Sequence, residues 1–595
     1  MLILRRTLAV AFTLLIAVLA TQLAMDVFFA DGVDWVDYIR ITLSSVTAAW
    51  IAWGASIGLG GLLGRAIATP PAQSLDELSP QTRTAILIPV YNEDPEATLT
   101  SAAAMAASLA DTPYAAHFDL VVLSDTRDDK MVSAEQAGIR WLRQSVTPEI
   151  GVYYRHRENN EGKKAGNVGD FVRRYGGAYT YMLILDADSL MEGHTILTML
   201  QRMEADPELG LLQSLPQIIS ANSWFARSLQ FSAALFSPIY TRGLARTQGR
   251  EGPFWGHNAL VRTQAFAESC GLPELSGKPP FGGHILSHDY VEAALLARQN
   301  WKVRVDADLE GSYEQCPQNV IDFAKRDRRW CQGNLQHARL LTTPGLKGWS
   351  RFTFVQGIMA YLASPLWMLL IICSIIAPLF APPPDYFPSP YLPAIFPHPE
   401  TALAVTLLVG IFGLLIGPKL LIALQAGFSG RARRFGGFCR AFWSTWVEII
   451  WSSLLAPITL MYQSRSVLQV LAGLDGGWPA SDREGQSLPL MEATRASWWV
   501  LLTGVLMLLG SHFFAPNLFY WLLPIALPQI LAPLLISLSS TQRSGHLAAQ
   551  MGLFMTPEER HATPVMQHKQ QCLSQWQDDH LPVADPLSEV TPCSK

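Results

Sequence analysis

The sequence predicts an α/β doubly wound domain inserted in an all-α polytopic membrane domain. Three observations predict it. Long stretches without a charged residue flank a polar block that runs from about residue 70 to 350. Within that block, short β-like apolar runs alternate with alanine-rich helical stretches. Acidic residues stand just after the apolar runs, at the carboxyl ends of the expected strands, where open α/β sheets bind ligands.

The membrane elements come first. The chain has 595 residues, of which 49% are hydrophobic and 16% charged, against about 25% charged in soluble domains. The shortfall is concentrated in Thr7–Met25, Ile41–Gly64, Phe352–Pro384 and Ala496–Gln542, which hold no Asp, Glu, Lys or Arg. A bilayer core needs about 20 apolar residues per helix, so each stretch can cross and the last is long enough for two spans. Buried helices of a soluble protein fit poorly, because such helices keep a charged face. The run after Arg5 and Arg6 is expected to be an uncleaved first span rather than a signal peptide, because a second span follows closely and no convincing small-x-small cleavage site stands behind it.

Positive charges set the orientation. Arg5 and Arg6 precede the first span, Arg65 follows the second, and Lys419, Arg431, Arg433, Arg434 and Arg440 cluster in the second apolar half. All agree if the N terminus and the polar block are cytoplasmic. The Pro-rich segment Ala381–Thr401, with only Asp385 and Glu400, then lies on the opposite side. The expected organisation is a transmembrane pair over 1–68, a cytoplasmic domain with interfacial helices over 69–350, a transmembrane bundle over 351–541 and a cytoplasmic tail over 542–595. A cytoplasmic tail requires an even number of crossings, six to eight. Pro516–Asn517 is the expected turn between the last two spans. Ala441–Gly473, with Glu448, Pro457 and Arg465, leaves open one span, a hairpin, or a span plus an interfacial helix. An ionisable residue such as Glu448 inside a membrane is a functional candidate, and a snorkelling or interfacial position is an equal alternative. The tail carries no motif and its composition predicts partial disorder.

A net charge of −5 argues against nucleic acid as a partner. The seven cysteines (270, 316, 331, 373, 439, 572 and 593) form no CxxC pair and no metal-ligand spacing. A disulfide framework is therefore not expected, and the polar block belongs in a reducing compartment.

Inside that block, Thr84–Val90, Asp119–Ser124, Gly151–Tyr154 and Tyr181–Leu185 are expected as buried parallel strands, with helices such as Glu96–Leu109 between them. Asp125 ends the second strand, and Asp186 and Asp188 end a later one. Two carboxylates two residues apart at a strand end can face one Mg²⁺ or Mn²⁺ that takes further oxygens from a diphosphate and neutralises a nucleotide leaving group. A lone D-x-D is a weak signal, most often a solvated turn; the apolar strand before this one raises its weight. Lys164-Ala-Gly-Asn167 is a small-residue turn able to approach a nucleotide, although alone it would pass for an exposed loop. Asp289 opens an apolar helix, either as its N-cap or as a general base. Arg326-Asp-Arg-Arg-Trp-Cys-Gln-Gly333 fits a basic interfacial helix, and equally a site where Trp330 stacks on a sugar and an arginine grips a diphosphate.

The order of these elements resembles the processive family-two glycosyltransferases, which include cellulose, hyaluronan and chitin synthases. Their pattern of D, DxD, (T/E)D and Q-x-x-R-W is met here by Asp125, Asp186/Asp188, His288-Asp289 and Arg326-x-x-Arg329-Trp330. Ile88-Pro-Val-Tyr-Asn-Glu93 and Phe254-Trp-Gly-His-Asn258 extend the match. Arg326 stands where Gln is usual, and His288 where Glu or Thr-Glu is usual. The wording Ser287-His-Asp-Tyr-Val-Glu292 and Arg326 to Asn334 looks like the glucans biosynthesis glucosyltransferase H family.

The resemblance implies a GT-A-like nucleotide-sugar transferase domain. It implies an inverting enzyme that polymerises glucose from UDP-glucose into the β-1,2-linked backbone of osmoregulated periplasmic glucans, coupled to export across the inner membrane of a Gram-negative bacterium. It also implies the lipid bilayer, the growing glucan, acyl carrier protein and a periplasmic glucan-modifying protein as partners. By the same resemblance, Asp125 holds the nucleotide with Tyr91, Glu93, Lys164, Asn167 and Arg326, and Asp186 and Asp188 hold Mg²⁺ or Mn²⁺. Asp289 is the base, Arg329 meets the diphosphate, Trp330 stacks on the chain end, and His257 and Asn258 touch the acceptor. A transferase adding one sugar to a membrane lipid would share the acids but not the Arg329-Trp330 pair. A non-catalytic channel with a degenerate domain would tolerate loss of the acids. Trp367, Trp443, Trp446 and Trp451 suit either a sugar path or an interfacial belt, and Asp475–Arg495 with Trp478 is the expected gate.

Overall fold

The computed structural model describes residues 1–30, 32–64, 82–383, 400–475 and 487–580. Two apolar helices, α1 (Leu2–Phe28) and α2 (Trp35–Leu63), open the chain. Asp34 starts α2 by accepting from the backbone of Val36 and Asp37, while Asp37 answers back as a capping box.

The polar domain then alternates as expected: β1 (Thr84–Val90), α3 (Pro95–Ala110), β2 (Phe118–Ser124), α4 (Asp129–Ser145), β3 (Gly151–His156), α5 (Lys163–Tyr175) and β4 (Tyr181–Ile184). Asp94 and Asp128 cap α3 and α4 through backbone N–H groups of their first turns. There follow β5 (Leu190–Met191), α6 (Gly193–Glu204), β6 (Leu209–Gln213), β7 (Gln217–Ile219) and α7 (Trp224–Gln248). The domain closes with β8 (Ala259–Arg262), α8 (Thr263–Ser269), α9 (His288–Arg298), β9 (Lys302–Val305), β10 (Ser312–Gln315) and α10 (Val320–Gln336).

The main sheet has the order β3-β2-β1-β4-β8-β6-β9, and β5-β10-β7 form a small second sheet. β1 runs parallel to β2 and β4, and β2 parallel to β3. Those four strands therefore end along one edge. β8 is antiparallel to both β4 and β6, so the sheet is mixed. Alternate residues of β1 enter opposite cores, Ile86 and Ile88 on one face, Ala85 and Leu87 on the other. β3 is an edge strand rather than a buried one, which leaves Tyr153 exposed.

The apolar half holds α11 (Gly348–Ile376), α12 (Thr401–Phe428), α13 (Phe438–Leu471), α14 (Leu490–Phe514), α15 (Phe519–Ile530) and α16 (Ala532–Ser539). Among the described residues, six helices are long and apolar enough to cross a membrane (α1, α2, α11, α12, α13 and α14), and α15 with α16, bent by 52°, make a possible seventh. The protein is thus a multi-pass membrane protein.

The segment left open by the sequence is one continuous helix, α13, and both its ends meet the polar domain or the tail packed on it. Before it, Arg434 pairs with Glu310 at 2.6 Å. Near its start, Ser444 Oγ accepts from the backbone of Phe554. Further on, Gln463 donates to Asp327 at 3.1 Å, and beyond its end Asp475 accepts from Gln332 at 2.9 Å. α13 is long and apolar enough to cross, yet it is held to the polar domain or its tail at both ends, with Trp443 and Trp446 exposed between. Glu448 is no isolated charge: both its oxygens lie 2.8 Å from Lys419 on α12. Buried charges persist when paired in this way. α7 packs on α2 by close backbone approach, since a Cβ on Gly61 would strike the Ile239 carbonyl and one on Gly243 the Ile57 carbonyl.

The tail departs from expectation. Through residue 580 it folds as α17 (Gln542–Gln550), α18 (Pro557–Arg560) and α19 (Pro564–His580), and it packs on the polar domain. Val565, Cys572 and Trp576 of α19 join the core around Ile86 and Leu99. The Trp576 ring meets Trp141 edge-on at 4.8 Å, and Arg227 of α7 grips Glu559 with both terminal nitrogens. Apolar burial against a partner far away in sequence orders a segment whose own composition does not. Trp478 and most of the Pro-rich segment lie outside the described residues.

Candidate active site

The carboxyl edge of the main sheet opens into a cleft of about 780 Å³. Tyr91 and Glu93 follow β1, Asp125 follows β2, and Asp186 and Asp188 follow β4; all five line it. The opposite wall carries His257, Asp289, Arg326, Arg329 and Trp330, and Lys164 reaches in from α5. Residues from Tyr91 to Trp330 therefore share one cavity.

Asp125 is buried, and Arg157, at the end of β3, meets its two oxygens at 2.7 and 2.8 Å. Lys164 pairs with Asp186 and also donates to the Gly256 carbonyl at 2.6 Å, joining the two walls. Gly256 has φ +87°, a backbone conformation that favours glycine, and it packs beside Asp289.

Asp289 sits in the first turn of α9 after Ser287, which takes the N-cap position, so it is not the cap itself. A carboxylate there is favoured by the helix dipole. Burial among protein atoms nevertheless raises the Asp289 carboxyl above its usual range; the His288 imidazole opposes this shift and Glu292 adds to it. His288 Nδ1 lies 3.2 Å from the buried Glu292 carboxylate one turn along, an ion-pair distance. Burial lowers the imidazole's affinity for a proton, but Glu292 and Asp289 outweigh it and the net shift is upward, against the Lys164 ammonium. The unusual His of the motif thus comes with its own counter-charge.

A general base works ionised, so its rate rises as pH climbs through its pKa. The positive imidazolium favours the ionised carboxylate. His288→Gln removes that charge and is expected to move the acidic limb of the pH–rate profile to higher pH, with the alkaline plateau retained. Tyr290 beside Asp289 and Cys270 beside Glu292 are the other titratable neighbours, and both keep their protons across that range. An unmoved limb would show that His288 does not act on this carboxylate.

α10 is held directly against α9. His337 donates its Nε2–H to the Ser287 carbonyl at 2.9 Å, from a neutral ring whose pKa burial pushes down to about 4. Gln336 accepts from Leu286 N, and Gly333 packs so close to Ser287 that a Cβ would collide. That contact ties Asp289 to the helix carrying Arg329 and Trp330. Trp330 is 42% exposed, with the Arg326 guanidinium 4.5 Å over its ring.

Two expected site residues fall elsewhere. Asn167 donates to the Leu123 carbonyl at 3.0 Å and accepts from Arg155, both behind the cleft wall. Asn258 is fully buried, donating to Ser312 at 2.8 Å and accepting from Ser189 at 2.6 Å. Their amides are consumed by the scaffold, and neither lines the cleft. Two residues not expected bear on the cleft, Arg157 through Asp125 and Glu314 directly. Arg157 could have been found, since it follows a strand just as the acids do. Glu314 lines the cleft from β10, 3.6 Å from His257, and burial raises its carboxyl; no sequence signal marked it.

Among the described residues no three His, Cys, Asp or Glu side chains cluster as a metal cage. Asp186 and Asp188 fit a hard divalent ion that takes two protein oxygens and fills its shell from water and a diphosphate.

Residues 85–269 match glycosyl transferase family 2, and residues 181–416 match glycosyl transferase family group 2. Glucans biosynthesis glucosyltransferase H of Cereibacter sphaeroides is 50% identical over 99% of both chains. The protein of that name from Shewanella baltica is 40% identical over 96% of this chain and 79% of its own. Among solved structures, a mannosyltransferase from Pyrobaculum calidifontis in complex with GDP-mannose and Mn²⁺ aligns with TM-score 0.43 at 14% identity, over 66% of this chain and 96% of that one.

Proposed function

Since this chain belongs to the glucans biosynthesis glucosyltransferase H family, within glycosyltransferase family 2, we propose that it polymerises glucose from UDP-glucose into a β-1,2-linked glucan and passes the chain across the bacterial inner membrane from a cytoplasmic active site. The family makes it a glucosyltransferase of glucan synthesis; donor, linkage and export are our reading. The observation that carries it is the convergence of Asp125, Asp186, Asp188, Asp289, Arg329 and Trp330 on one cleft above the apolar helices.

In this mechanism Tyr91, Glu93 and Asp125 hold the nucleoside, Asp125 being kept rigid by Arg157. Asp186 and Asp188 would hold Mg²⁺ or Mn²⁺, which supplies charge neutralisation at the diphosphate. Arg329 and Lys164 add donors there. Trp330 stacks on the terminal sugar of the acceptor and fixes its hydroxyl for attack. Asp289 takes the proton from that hydroxyl as it attacks the anomeric carbon opposite the leaving diphosphate, which turns an α-linked donor into a β-linked product. His257 faces the acceptor side of the cleft.

Purified protein with Mg²⁺ and radiolabelled UDP-glucose tests this. Label in a water-soluble glucan with 1,2-linkages is expected. Label in a solvent-extractable lipid, or incorporation only from another UDP-sugar, would replace the reading.

A further inference from the structure

A second cavity, of about 700 Å³, opens between α11, α13 and α14, apart from the catalytic cleft. Its walls are mostly apolar, with Met368, Met461, Leu468 and Trp498, yet Arg465 of α13 and Arg495 of α14 both stand in it. Both arginines are exposed. Several other cations beside the apolar helices are compensated. Lys419 pairs with Glu448, Arg434 with Glu310 and Arg6 with Glu251, while Arg431 donates to the Ala234 and Leu235 carbonyls. Among the described residues, Arg465 and Arg495 have no ion-pair or hydrogen-bond partner; Arg465 has only the Trp499 ring, 5.1 Å away. Two positive charges without a counter-ion among the described residues, at the rim of an apolar chamber, call for an anion with an apolar body.

Position says which anion. Arg465 lies toward the end of α13 that is tied to the polar domain through Asp475 and Gln332, and Arg495 lies in the second turn of α14, near one end of its span. That is the level of a leaflet's phosphates. We propose that this cavity seats an anionic phospholipid of that leaflet, its phosphate between Arg465 and Arg495 and an acyl chain against Met368, Met461 and Leu468. The volume suits such a ligand. A neutral glucan would leave both charges unmet, and free phosphate would leave the apolar walls unused. The seat is built on α13, and Asp475, four residues beyond its end, meets Gln332 on the helix of Trp330. A lipid held here therefore braces the element beneath the active site.

The test uses full-length protein, stripped of lipid in detergent and offered phosphatidylglycerol or phosphatidylcholine, with retained lipid counted by native mass spectrometry. Wild type is expected to retain phosphatidylglycerol in preference. Arg465→Gln with Arg495→Gln should lower retention by on the order of tenfold, while Arg465→Lys with Arg495→Lys keeps most of it. Arg543→Gln, an exposed arginine outside the cavity, should change nothing. Equal retention by the double Gln variant, or an equal loss in Arg543→Gln, overturns the proposal. Displacement by millimolar inorganic phosphate would make the ligand a free anion, and displacement by soluble glucan would make the cavity part of the product path; either overturns the lipid. If the Gln pair does not fold, photoreactive phosphatidylglycerol on the wild-type protein decides: adducts on α13 or α14 beside the arginines support the seat, and adducts only elsewhere refute it.

Discussion

Replacing Asp289 by Asn is expected to lower sugar transfer by roughly 10²–10⁴-fold, the usual contribution of a positioned general base. The amide keeps the shape of the carboxyl and cannot take a proton. Asp289 lines the cleft, sits on the first turn of α9 and is held there by the contact of Ser287 with His337 and Gly333. None of those contacts needs its charge, so folding should survive; removing a carboxylate whose pKa burial has raised relieves a cost. Thermal unfolding and UDP-glucose affinity should stay near wild type while the rate collapses at every pH. Synthesis at the wild-type rate would take Asp289 out of the reaction. The His288→Gln profile separates two failures: an active Asp289→Asn denies the base, whereas an inactive one with an unmoved limb in His288→Gln denies only the neighbour.

Arg157→Met is expected to cost about 3–5 kcal/mol of stability in the polar domain, as removal of one partner from a buried ion pair does. The guanidinium meets both oxygens of Asp125, and both side chains are almost wholly shielded, at 14% and 5% exposure. Met fills the space without the charge and leaves the carboxylate buried alone. Asp125→Asn with Arg157→Met should recover most of the loss, because the stranded charge is gone, and this coupling is what a double-mutant cycle reads. The rescued variant should still bind donor weakly if Asp125 holds the nucleoside. Unfolding of the detergent-solubilised protein, followed with and without UDP-glucose, measures both. An unchanged melting temperature in Arg157→Met would show that the pair is not supporting the cleft.

Much of this site was legible before any coordinates. Asp125, Asp186 and Asp188 follow apolar runs that form strands, and parallel neighbours end on the same edge. Their meeting needed only strand direction. Asp289, Arg329 and Trp330 were legible through their wording, since nothing in a helix start or a basic amphipathic stretch says which cleft it faces. The errors have one source. His257 and Asn258 are neighbours in sequence but diverge in space, one lining the cleft and the other sealed into the scaffold. Asn167 diverges from Lys164 in the same way along α5. A motif names a segment, while the side that each residue presents depends on what packs behind it.

By itself the sequence marked the long apolar stretches, the four parallel strands and the acids at their ends. These follow from local patterns, an unbroken apolar run or an apolar strand closed by a polar residue, and chain-neighbour physics is enough to read them. Only the tertiary structure made one continuous helix of α13, paired Glu448 with Lys419, folded α19 onto α3, set Arg157 on Asp125 and brought Glu314 to the cleft. Each of these is a contact between elements brought together by folding. Its free energy lies in burial and charge pairing with a partner the local sequence does not contain.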